Sequence, residues 1–349
     1  MPELPEVEVV RRGIGRWATG RTVEKVTIHD PRSLRRHALG TTLAEPARLD
    51  SFAAALTQQT LLAPQRRGKF LWIPLQGPAA PAESASGSEP VQQSLLIHLG
   101  MSGQVLIDDP SAPAQKHLKI TLQLGGECTD LSGSGDEGSG DEGSRGGDPS
   151  SEARGEDARP KQLRFIDQRI FGGMQISELV ASTHPSGSVP AAAVHIAPDP
   201  LEPGFDEETF FRTLRRRKTG LKRALLDQGM VSGIGNIYAD EALWLARLHY
   251  LRPTETITRA EAARLLDGVK TVMLAALEAG GTSFDALYVN VNGASGYFDR
   301  SLQSYGRTGQ PCRRCADTPR AATIRRDPFM GRSSFWCPTC QPRPRRARA

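Results

Sequence analysis

Residues 1–6 read Met-Pro-Glu-Leu-Pro-Glu, and the segment that they introduce gives the first indication of the fold. Directly after them, Val7, Val10 and Ile14 recur at the spacing of one helical face, with arginines off that face. This periodicity predicts an amphipathic helix whose leading end carries the polar residues of the opening segment. The fold is therefore predicted to begin with a helix that presents its own N-terminal end.

The second residue is a proline with two carboxylates close by in sequence, Glu3 and Glu6. If Met1 is removed, Pro2 has a free secondary amine, and α-amino groups titrate near pH ~8, about two units below lysine. A neutral amine can attack a sugar carbon and form an iminium ion, which is Schiff-base chemistry without a buried lysine. By itself a Met-Pro-Glu start is more often just a processed terminus, so this interpretation depends on the rest of the chain.

Length and charge narrow the class of protein. The 349 residues suffice for two or three domains, and no apolar run approaches the ~20 residues of a membrane span. The start lacks the regions of a signal peptide, so we expect a cytoplasmic protein. Residues 126–160 hold ten acidic and three basic side chains, so the total charge of +5 divides into −7 there and +12 elsewhere. Such a basic remainder favours a polyanionic partner.

The order of patterns predicts an α+β multidomain protein. Short alternating segments behind the leading helix predict an N-terminal antiparallel β-sandwich, and the pattern becomes helical from residue 205. Residues 125–160 are rich in Gly, Ser, Asp and Glu and are expected to be a disordered acidic insertion between two strands. The predicted bounds are 1–180 for the β-domain, 181–204 for a linker, 205–308 for the helical domain, 309–341 for a cysteine-bearing β-hairpin module and 342–349 for a basic tail.

The strongest local pattern is a pair of Cys-x-x-Cys motifs. Cys312 and Cys315 form the first, and Cys337 and Cys340 form the second, with residues 316–336 between them. This spacing suits one tetrahedral Zn²⁺ held by four thiolates on a β-hairpin, whereas redox use is the alternative. Because all four ligands come from the protein, the predicted zinc is structural.

A second pattern joins a glycine turn to a basic helix. Gly233 and Gly235 lie in a tight connection before Asn236, which begins a predicted helix and exposes backbone N–H groups at its positive end. The preceding helical stretch is basic and includes Arg217 and Lys222. A Gly-x-Gly turn alone is usually only a turn, but together these features indicate an element that grips a phosphate backbone.

Isolated candidates lie in the β-domain. Lys69 lies just inside a strand, where a solvated position is the simpler local interpretation. Met101 occupies a loop between glycines, and Arg169 and Phe171 lie two residues apart in another loop. Methionine is normally a gap-filler in a core, but a wedge, an arginine and an aromatic ring can fill the space left by an extruded nucleotide.

These motifs together resemble the formamidopyrimidine-DNA glycosylase family over nearly the whole chain outside the insertion. Six of the family's motifs occur in order: the Met-Pro-Glu start, the Lys-bearing strand, His-Leu-Gly-Met-Ser-Gly, Asp-x-Arg-x-Phe-Gly, the helix-two-turn-helix and the zinc hairpin. The resemblance implies a bifunctional DNA glycosylase and abasic-site lyase that acts on oxidised purines in damaged double-stranded DNA, as a monomer.

The resemblance also implies residue roles. Pro2 is the nucleophile on the deoxyribose C1′, Glu3 assists opening of the sugar ring, and Lys69 supports β-elimination. Arg332 of the hairpin is tied to δ-elimination and to phosphate contact. The implied void-filling and DNA-contact residues are Met101, Arg169, Phe171, His117, Arg217, Lys222 and Asn236.

Two departures from the family pattern bear on DNA contact. Ile170 stands where the family often has a second arginine, so one backbone contact is expected to be missing. The acidic insertion has no counterpart in the usual pattern. It is either a passive loop or a loop that weakens non-specific DNA association by repulsion.

Two rival functions remain open on the sequence. An endonuclease VIII-type enzyme prefers oxidised pyrimidines, but Met101, Arg169, Phe171 and the segment 280–288 resemble the purine-lesion branch. A non-catalytic DNA-binding module has no need of Pro2, Glu3 and Lys69 together. Borohydride trapping on oxidised duplex distinguishes an enzyme from such a module.

Overall fold

The computed structural model describes residues 2–38, 44–78, 92–128, 161–182, 187–281, 291 and 301–348. Within these ranges, no helix combines the length and the apolarity needed to span a membrane. The acidic residues 129–160 of the predicted insertion lie outside the described part, as do residues 282–288 of the segment that resembles the purine-lesion branch.

The chain begins with helix α1, Leu4–Ala18, as its periodicity predicts. Pro5 lies in the first turn, where its missing N–H costs no hydrogen bond, and the backbone N–H of Glu3 donates to the Glu6 carboxylate at 2.9 Å. One face of α1 buries Val7, Val10 and Ile14 against the sheet that follows.

The described residues of the β-domain form a ten-stranded antiparallel sheet. The strands are β1 Thr22–Ile28, β2 Thr60–Leu61, β3 Gln65–Arg67, β4 Phe70–Gln76, β5 Gln93–His98, β6 Gly103–Asp108, β7 Leu118–Gly125, β8 Lys161–Asp167, β9 Gly173–Ala181 and β10 Ser188–Pro190, with helix α2 Glu45–Leu56 between β1 and β2. The sheet follows the order β10-β9-β5-β4-β2-β1-β7-β8-β6, and β3 pairs with β4 outside this path. Inward side chains from both halves of the sheet, such as Ile97 and Phe165, belong to one core cluster with α1. This agrees with the predicted antiparallel β-domain behind a leading helix.

The second part of the chain is helical. Helices α3 Glu207–Arg216, α4 Leu221–Leu225, α5 Asn236–Ala246 and α6 Arg259–Glu278 follow one another. Helix α3 is capped by Asp206 and α6 by the Thr258–Glu261 capping box, which satisfy N–H groups at the helix starts. The core between α5 and α6 also takes in Leu4 of α1, so the leading helix packs on both parts of the molecule.

A two-stranded hairpin completes the α+β architecture. Strands β11 Arg325–Phe329 and β12 Arg332–Trp336 pair in register, and Phe329 lies opposite Arg332. The two residues between them, Met330 and Gly331, have φ of 46° and 69°, which is the geometry of a tight hairpin turn whose twist matches the strands.

The predicted domain bounds stay a prediction. Strands β7 and β8 pair with each other, and Leu124 lies opposite Lys161, so the acidic stretch connects two neighbouring strands. Within the predicted linker, residues 188–190 form β10, which pairs with β9.

Candidate active site

The carboxylate of Glu3 lies on the N-terminal end of helix α5. Its Oε2 accepts hydrogen bonds from the backbone N–H groups of Gly235 at 2.8 Å and Tyr238 at 3.2 Å. Its Oε1 accepts the N–H of Ile237 at 2.9 Å. The first N–H groups of a helix have no partner within the helix and carry its positive dipole end, so they hold an anion well.

The glycine turn before α5 is what lets Glu3 approach. A Cβ on Gly235 would lie 2.2 Å from the Glu3 carboxyl carbon, and one on Gly233 would lie 2.6 Å from a Leu4 methyl group. Gly233 also has φ of 85°, which disfavours a side chain. The sequence predicts that this turn and the helix start can hold a phosphate, but the Glu3 carboxylate takes the N–H of Gly235 in the turn and those of Ile237 and Tyr238 in α5.

Burial controls the electrostatics of Glu3. Only 3% of the residue is exposed, and burial raises its pKa, against the opposing effect of the Lys69 charge and the backbone N–H groups. The neighbouring Glu6 accepts the hydroxyl of Tyr238 at 2.8 Å and the Glu3 N–H, so both carboxylates are fixed by α5 or by α1. A carboxyl group with a raised pKa is suited to donate and accept a proton at a reacting atom.

Lys69 lies beside Glu3, in the turn between β3 and β4 rather than inside a strand. Its Nζ donates to the Ile234 carbonyl at 2.9 Å, which brings it to the same glycine turn. Burial lowers the pKa of Lys69, the charge of Glu3 opposes this effect, and the charge of Arg332 adds to it. A lysine with a lowered pKa is a better base at neutral pH than an exposed one.

The backbone under Lys69 is held by a buried carboxylate, Asp199. Its Oδ2 accepts the N–H of Gly68 at 3.0 Å and Nη1 of Arg66 at 2.7 Å. Arg66 also donates to Glu8 of α1 at 3.0 Å. Asp199, in the segment just before the helical part, thus fixes the turn that carries Lys69. The sequence alone did not predict this contact.

A cavity of about 400 Å³ opens next to these groups. Pro2 and Lys69 line it on one side, and His98 and His195 line it as well. Burial lowers the pKa of His98 to about 4, and the charge of Arg36 adds to this effect, so the ring is neutral at pH 7. Sequence reasoning missed His195, because a lone histidine in a Pro- and Ala-rich stretch gives no signal.

The three predicted void-filling residues lie on two adjoining loops. Met101 is 37% exposed on the β5–β6 loop, and Phe171 is 50% exposed on the β8–β9 loop, where Arg169 is exposed too. The loops touch at Gly100, where a Cβ would lie 2.4 Å from the backbone nitrogen of Gly172. The structure therefore brings the trio together on one exposed edge.

Hydrogen bonds to Asp167 and from Arg35 hold these loops in place. Asp167 accepts the Ser102 hydroxyl at 2.5 Å and the backbone N–H groups of Arg169 at 3.1 Å and Gly172 at 2.7 Å. Arg35 donates to the Phe171 carbonyl at 2.8 Å. The loops are thus held by their backbones, while the side chains of the trio stay exposed.

The position that departs from the family pattern, Ile170, lies in this loop with φ of 55°. A β-branched residue pays a steric cost in that region, so the bracing contacts overcome local strain. Its carbonyl accepts from Arg35, which comes from the other side of the loop.

The predicted DNA-contact residues have different environments. Asn236 donates to the Ser333 carbonyl at 3.1 Å, and Lys222 donates to the same carbonyl at 3.0 Å and to Asp240 at 2.7 Å. Lys222 is fully buried, so its ammonium group joins α4 to α5 and to the hairpin. Arg332 is exposed next to Ser333 at the start of β12.

The remaining two contacts lie farther along the surface. Arg217 is exposed at the end of α3 and pairs with Asp227 at 2.8 Å. His117 is half-buried with φ of 68°, and its carbonyl accepts the Asp167 N–H at 3.1 Å, which joins it to the base of the exposed loops.

The four predicted metal ligands converge. All four cysteine sulfur atoms lie within 4.8 Å of one another, with Cys312 and Cys340 3.9 Å apart and Cys315 and Cys337 3.7 Å apart. Four thiolates around one tetrahedral Zn²⁺ at ~2.3 Å would be separated by ~3.8 Å. Trp244 of α5 donates its Nε1–H to Cys312 Sγ at 3.3 Å, so the cluster is attached to the helical part. The cluster can hold one metal ion.

Comparison with known proteins agrees with this architecture. The family model described as the formamidopyrimidine-DNA glycosylase N-terminal domain matches residues 1–134, and the formamidopyrimidine-DNA glycosylase H2TH domain matches residues 196–287. Formamidopyrimidine-DNA glycosylases of Parafrankia sp. (strain EAN1pec) and Streptomyces coelicolor are 52% and 49% identical over 348 and 345 residues. These alignments cover 100% of this chain and of the Parafrankia protein, and 99% of this chain and of the Streptomyces protein.

Solved structures give the same result. The Lactococcus lactis Fpg in complex with DNA containing an abasic site matches with a TM-score of 0.69 at 26% identity, covering 98% of this chain and 100% of that one. The wild-type Lactococcus lactis enzyme with DNA containing an oxidised pyrimidine matches with a TM-score of 0.69 at 27% identity and the same coverage. The chain belongs to the formamidopyrimidine-DNA glycosylase family, which confirms the resemblance drawn from its motifs.

Proposed function

We propose that this DNA glycosylase of base excision repair is bifunctional, excising oxidised purines from duplex DNA and then cleaving the abasic strand. The observation that carries the proposal is that Pro2 and Lys69 line one cavity, while Glu3 is hydrogen-bonded to the same glycine turn as Lys69. The loops that present Met101 and Phe171 adjoin this cavity. The purine preference rests on the resemblance of the exposed trio to that branch. The relative solved with an oxidised pyrimidine keeps the endonuclease VIII type of substrate as the second candidate.

The proposed chemistry begins with the Pro2 nitrogen once Met1 is removed. The neutral amine attacks C1′ of the damaged nucleotide and the bond from C1′ to the base breaks. The base leaves with the electron pair and takes up the proton that the Pro2 nitrogen loses. Glu3, whose pKa is raised by burial, gives a proton to the ring oxygen as the sugar opens and the iminium forms. The fixed geometry of Glu3 on α5 supports this role, because three backbone donors hold it in one orientation.

Strand cleavage then follows from the iminium. We assign Lys69 to β-elimination, since burial lowers its pKa and gives it a neutral fraction that can accept a proton. Arg332 is exposed where its charge lowers the pKa of Lys69, which supports phosphate contact and δ-elimination at that position. His117, Arg169, Arg217, Lys222 and Asn236 are proposed to hold the damaged duplex, with Lys222 acting through the hairpin rather than directly.

We propose that the cysteine cluster holds one structural Zn²⁺. Cys312, Cys315, Cys337 and Cys340 supply four soft thiolate ligands at separations that fit a tetrahedral ion. With four protein ligands the ion leaves no open position, so it fixes the hairpin that presents Arg332. The protein is proposed to act as a monomer on nucleoid DNA in the cytoplasm.

Borohydride trapping on duplexes with 8-oxoguanine or thymine glycol tests this function. The native protein should form a stable covalent adduct, faster on 8-oxoguanine, whereas Pro2→Gly should lose excision by orders of magnitude and still bind duplex. Cleavage at the native rate by a form with an acylated Pro2 would exclude the terminal-amine mechanism. A preference for thymine glycol would assign the protein to the pyrimidine branch.

A further inference from the structure

The arginine-rich segment 342–348 follows the last cysteine and is not used by the proposed chemistry. Its start is fixed by Gln341, whose Oε1 accepts the Cys337 N–H at 2.9 Å and whose Nε2 donates to the Leu248 carbonyl at 2.9 Å. From there the segment runs along the surface of the helical part. Its path is therefore set by the cysteine module at one end.

The other end of the segment is also docked. The backbone N–H of Arg348 donates to the Leu251 carbonyl at 3.0 Å, and its guanidinium donates to the Lys218 carbonyl at 2.6 Å and pairs with Glu255 at 2.7 Å. A Cβ on Gly220 would lie 2.3 Å from the Arg348 carbonyl oxygen, so the glycine permits this close approach. Contacts at both ends restrict the segment, which lowers the entropy lost when it binds a partner.

Between the two ends, Arg343, Arg345 and Arg346 are exposed. Among the described residues, none of these three guanidinium groups forms an ion pair, whereas Arg348 does. The docking site of Arg348 adjoins another exposed basic run, residues 215–218 at the end of α3. The fold therefore joins two basic segments that are more than a hundred residues apart in sequence.

This basic surface is connected to the candidate active site through helix α4. Lys218 precedes that helix, and Lys222 within it donates to the Ser333 carbonyl, next to Arg332. We infer that residues 342–348 form a second contact surface for the DNA backbone, outside the catalytic cavity and next to the basic run 215–218 that contains the proposed contact Arg217. The inference rests on the proposed function, because the surface is inferred to bind the same DNA duplex that the catalytic cavity acts on.

The chemistry of the surface favours phosphates over other partners. Guanidinium groups bind phosphate oxygens with paired hydrogen bonds, and they remain charged at every physiological pH. Each phosphate contact on duplex DNA releases condensed counterions and adds about 0.9 to the slope of log affinity against log salt. The surface should therefore strengthen binding to any duplex sequence and make that binding more sensitive to salt.

The test is the salt dependence of binding to undamaged duplex. The variant Arg343→Gln/Arg345→Gln/Arg346→Gln should lower the slope by about 2 to 3, as expected for three lost contacts. Replacing the same three residues with lysine should keep most of the slope, because the charges remain. The matched control, Arg247→Gln/Arg313→Gln/Arg320→Gln, removes three exposed arginines near the cysteine cluster and should change the slope by less than about one.

Two further measurements separate this inference from the proposed function. Excision and borohydride trapping at saturating enzyme should be unchanged in the Gln variant, since the variant leaves the catalytic cavity intact. An unchanged slope in the Gln variant, or an equal loss in the control, would overturn the second surface while leaving the glycosylase proposal in place. Absence of trapping in the native protein would instead overturn the proposed function.

Discussion

The centre at Glu3 and Lys69 and the exposed edge at Met101 and Phe171 are held in opposite ways. Glu3 is buried and Lys69 is half-buried, and each is fixed by a side-chain contact to the turn before α5, in the other half of the chain. Met101 and Phe171 have large exposed side chains, and backbone groups of the Phe171 loop are held by Asp167 and Arg35. This difference fits the proposed roles, because groups that do chemistry need one geometry, whereas groups that enter a duplex need exposed side chains on a fixed support.

The largest expected effect tests the buried centre. Glu3→Gln keeps the shape and an acceptor for the α5 N–H groups but removes the acid, so excision should fall by about 10²- to 10⁴-fold. Single-turnover kinetics on 8-oxoguanine duplex measure this loss. Glu241→Gln is the matched control, because Glu241 is also buried and also accepts three backbone N–H groups, from residues 303–305. If both variants lose the same activity, the loss at Glu3 is structural.

The cysteine cluster should give the next largest effect, on binding rather than on chemistry. Cys337→Ser removes one of four thiolates and should lose the metal and duplex affinity together, since Arg332 lies five residues earlier in the same hairpin. Elemental analysis for zinc and a binding titration measure both quantities. Cys128→Ser should leave both unchanged, because Cys128 lies apart from the cluster and contacts the Arg16 carbonyl. A metal-free preparation with full activity would refute the zinc assignment.

The support of Lys69 can be tested separately from Lys69 itself. Asp199→Asn leaves the buried Arg66 with Glu8 as its remaining carboxylate, and the loss of a partner in a buried pair costs about 3 kcal/mol or more. We expect a lower thermal transition and a slower elimination step, with excision less affected. Asp30→Asn is the control, because Asp30 pairs with Lys119 and Arg32 and does not line the cavity. Equal rates in the two variants would show that the Asp199 contact does not position Lys69.

Sequence reasoning found the residues of the centre but not how they are joined. The start at Pro2 and Glu3, the lysine and the cysteine spacing are local patterns, so they can be read directly. The contact between Glu3 and Gly235 joins residues 232 positions apart, and no local pattern encodes it. For the same reason, the local pattern at Gly235 indicates only that the turn can hold a phosphate.

Charge patterns misled the sequence reasoning in a related way. Lys222 belongs to a basic stretch whose pattern predicts a grip on a phosphate backbone, but its Nζ is fully buried against Asp240, eighteen residues later. The exposed trio could be predicted because a methionine between glycines, or an aromatic residue in a polar loop, is an apolar side chain at a position that is normally polar. The hydrogen bond from Arg35 to the Phe171 carbonyl could not be predicted, since Arg35 lies in a distant part of the chain.

A smaller effect is expected at the exposed edge. Phe171→Ala should weaken binding and excision on lesion-containing duplex by about tenfold, because stacking on a base is worth about 1–3 kcal/mol. Binding to undamaged duplex should change less, since the phosphate contacts remain. Leu274→Ala on α6 is the matched control, as Leu274 is also 50% exposed but lies on the helical part. Equal effects of the two variants on lesion duplex would contradict a wedge role for Phe171.

The smallest effect concerns His98, which lies between the two regions. Its Nδ1 accepts the Gly100 N–H at 3.2 Å, and the ring lines the cavity beside Lys69. Since burial lowers its pKa to about 4, the folded protein keeps the ring neutral, while the unfolded chain takes up a proton below pH ~6.5. The free energy of unfolding should therefore fall as the pH drops from ~6.5 to ~4, by at most about 1.4 kcal/mol per pH unit.

Denaturant unfolding at several pH values tests this contribution. His98→Gln cannot titrate, so its free energy of unfolding should depend less steeply on pH between ~6 and ~5 than that of the native protein. His249→Gln should reduce the slope similarly, because burial also lowers the pKa of His249 to about 4, but it lies in the helical part. The excision rate should show no step from His98 between pH ~5.5 and ~7, since the ring is neutral throughout that range. A slope unchanged by His98→Gln would mean that the pKa of His98 is the same in the folded and unfolded states. The ring would then bring a cation to the cavity edge beside Lys69 below pH ~6.5.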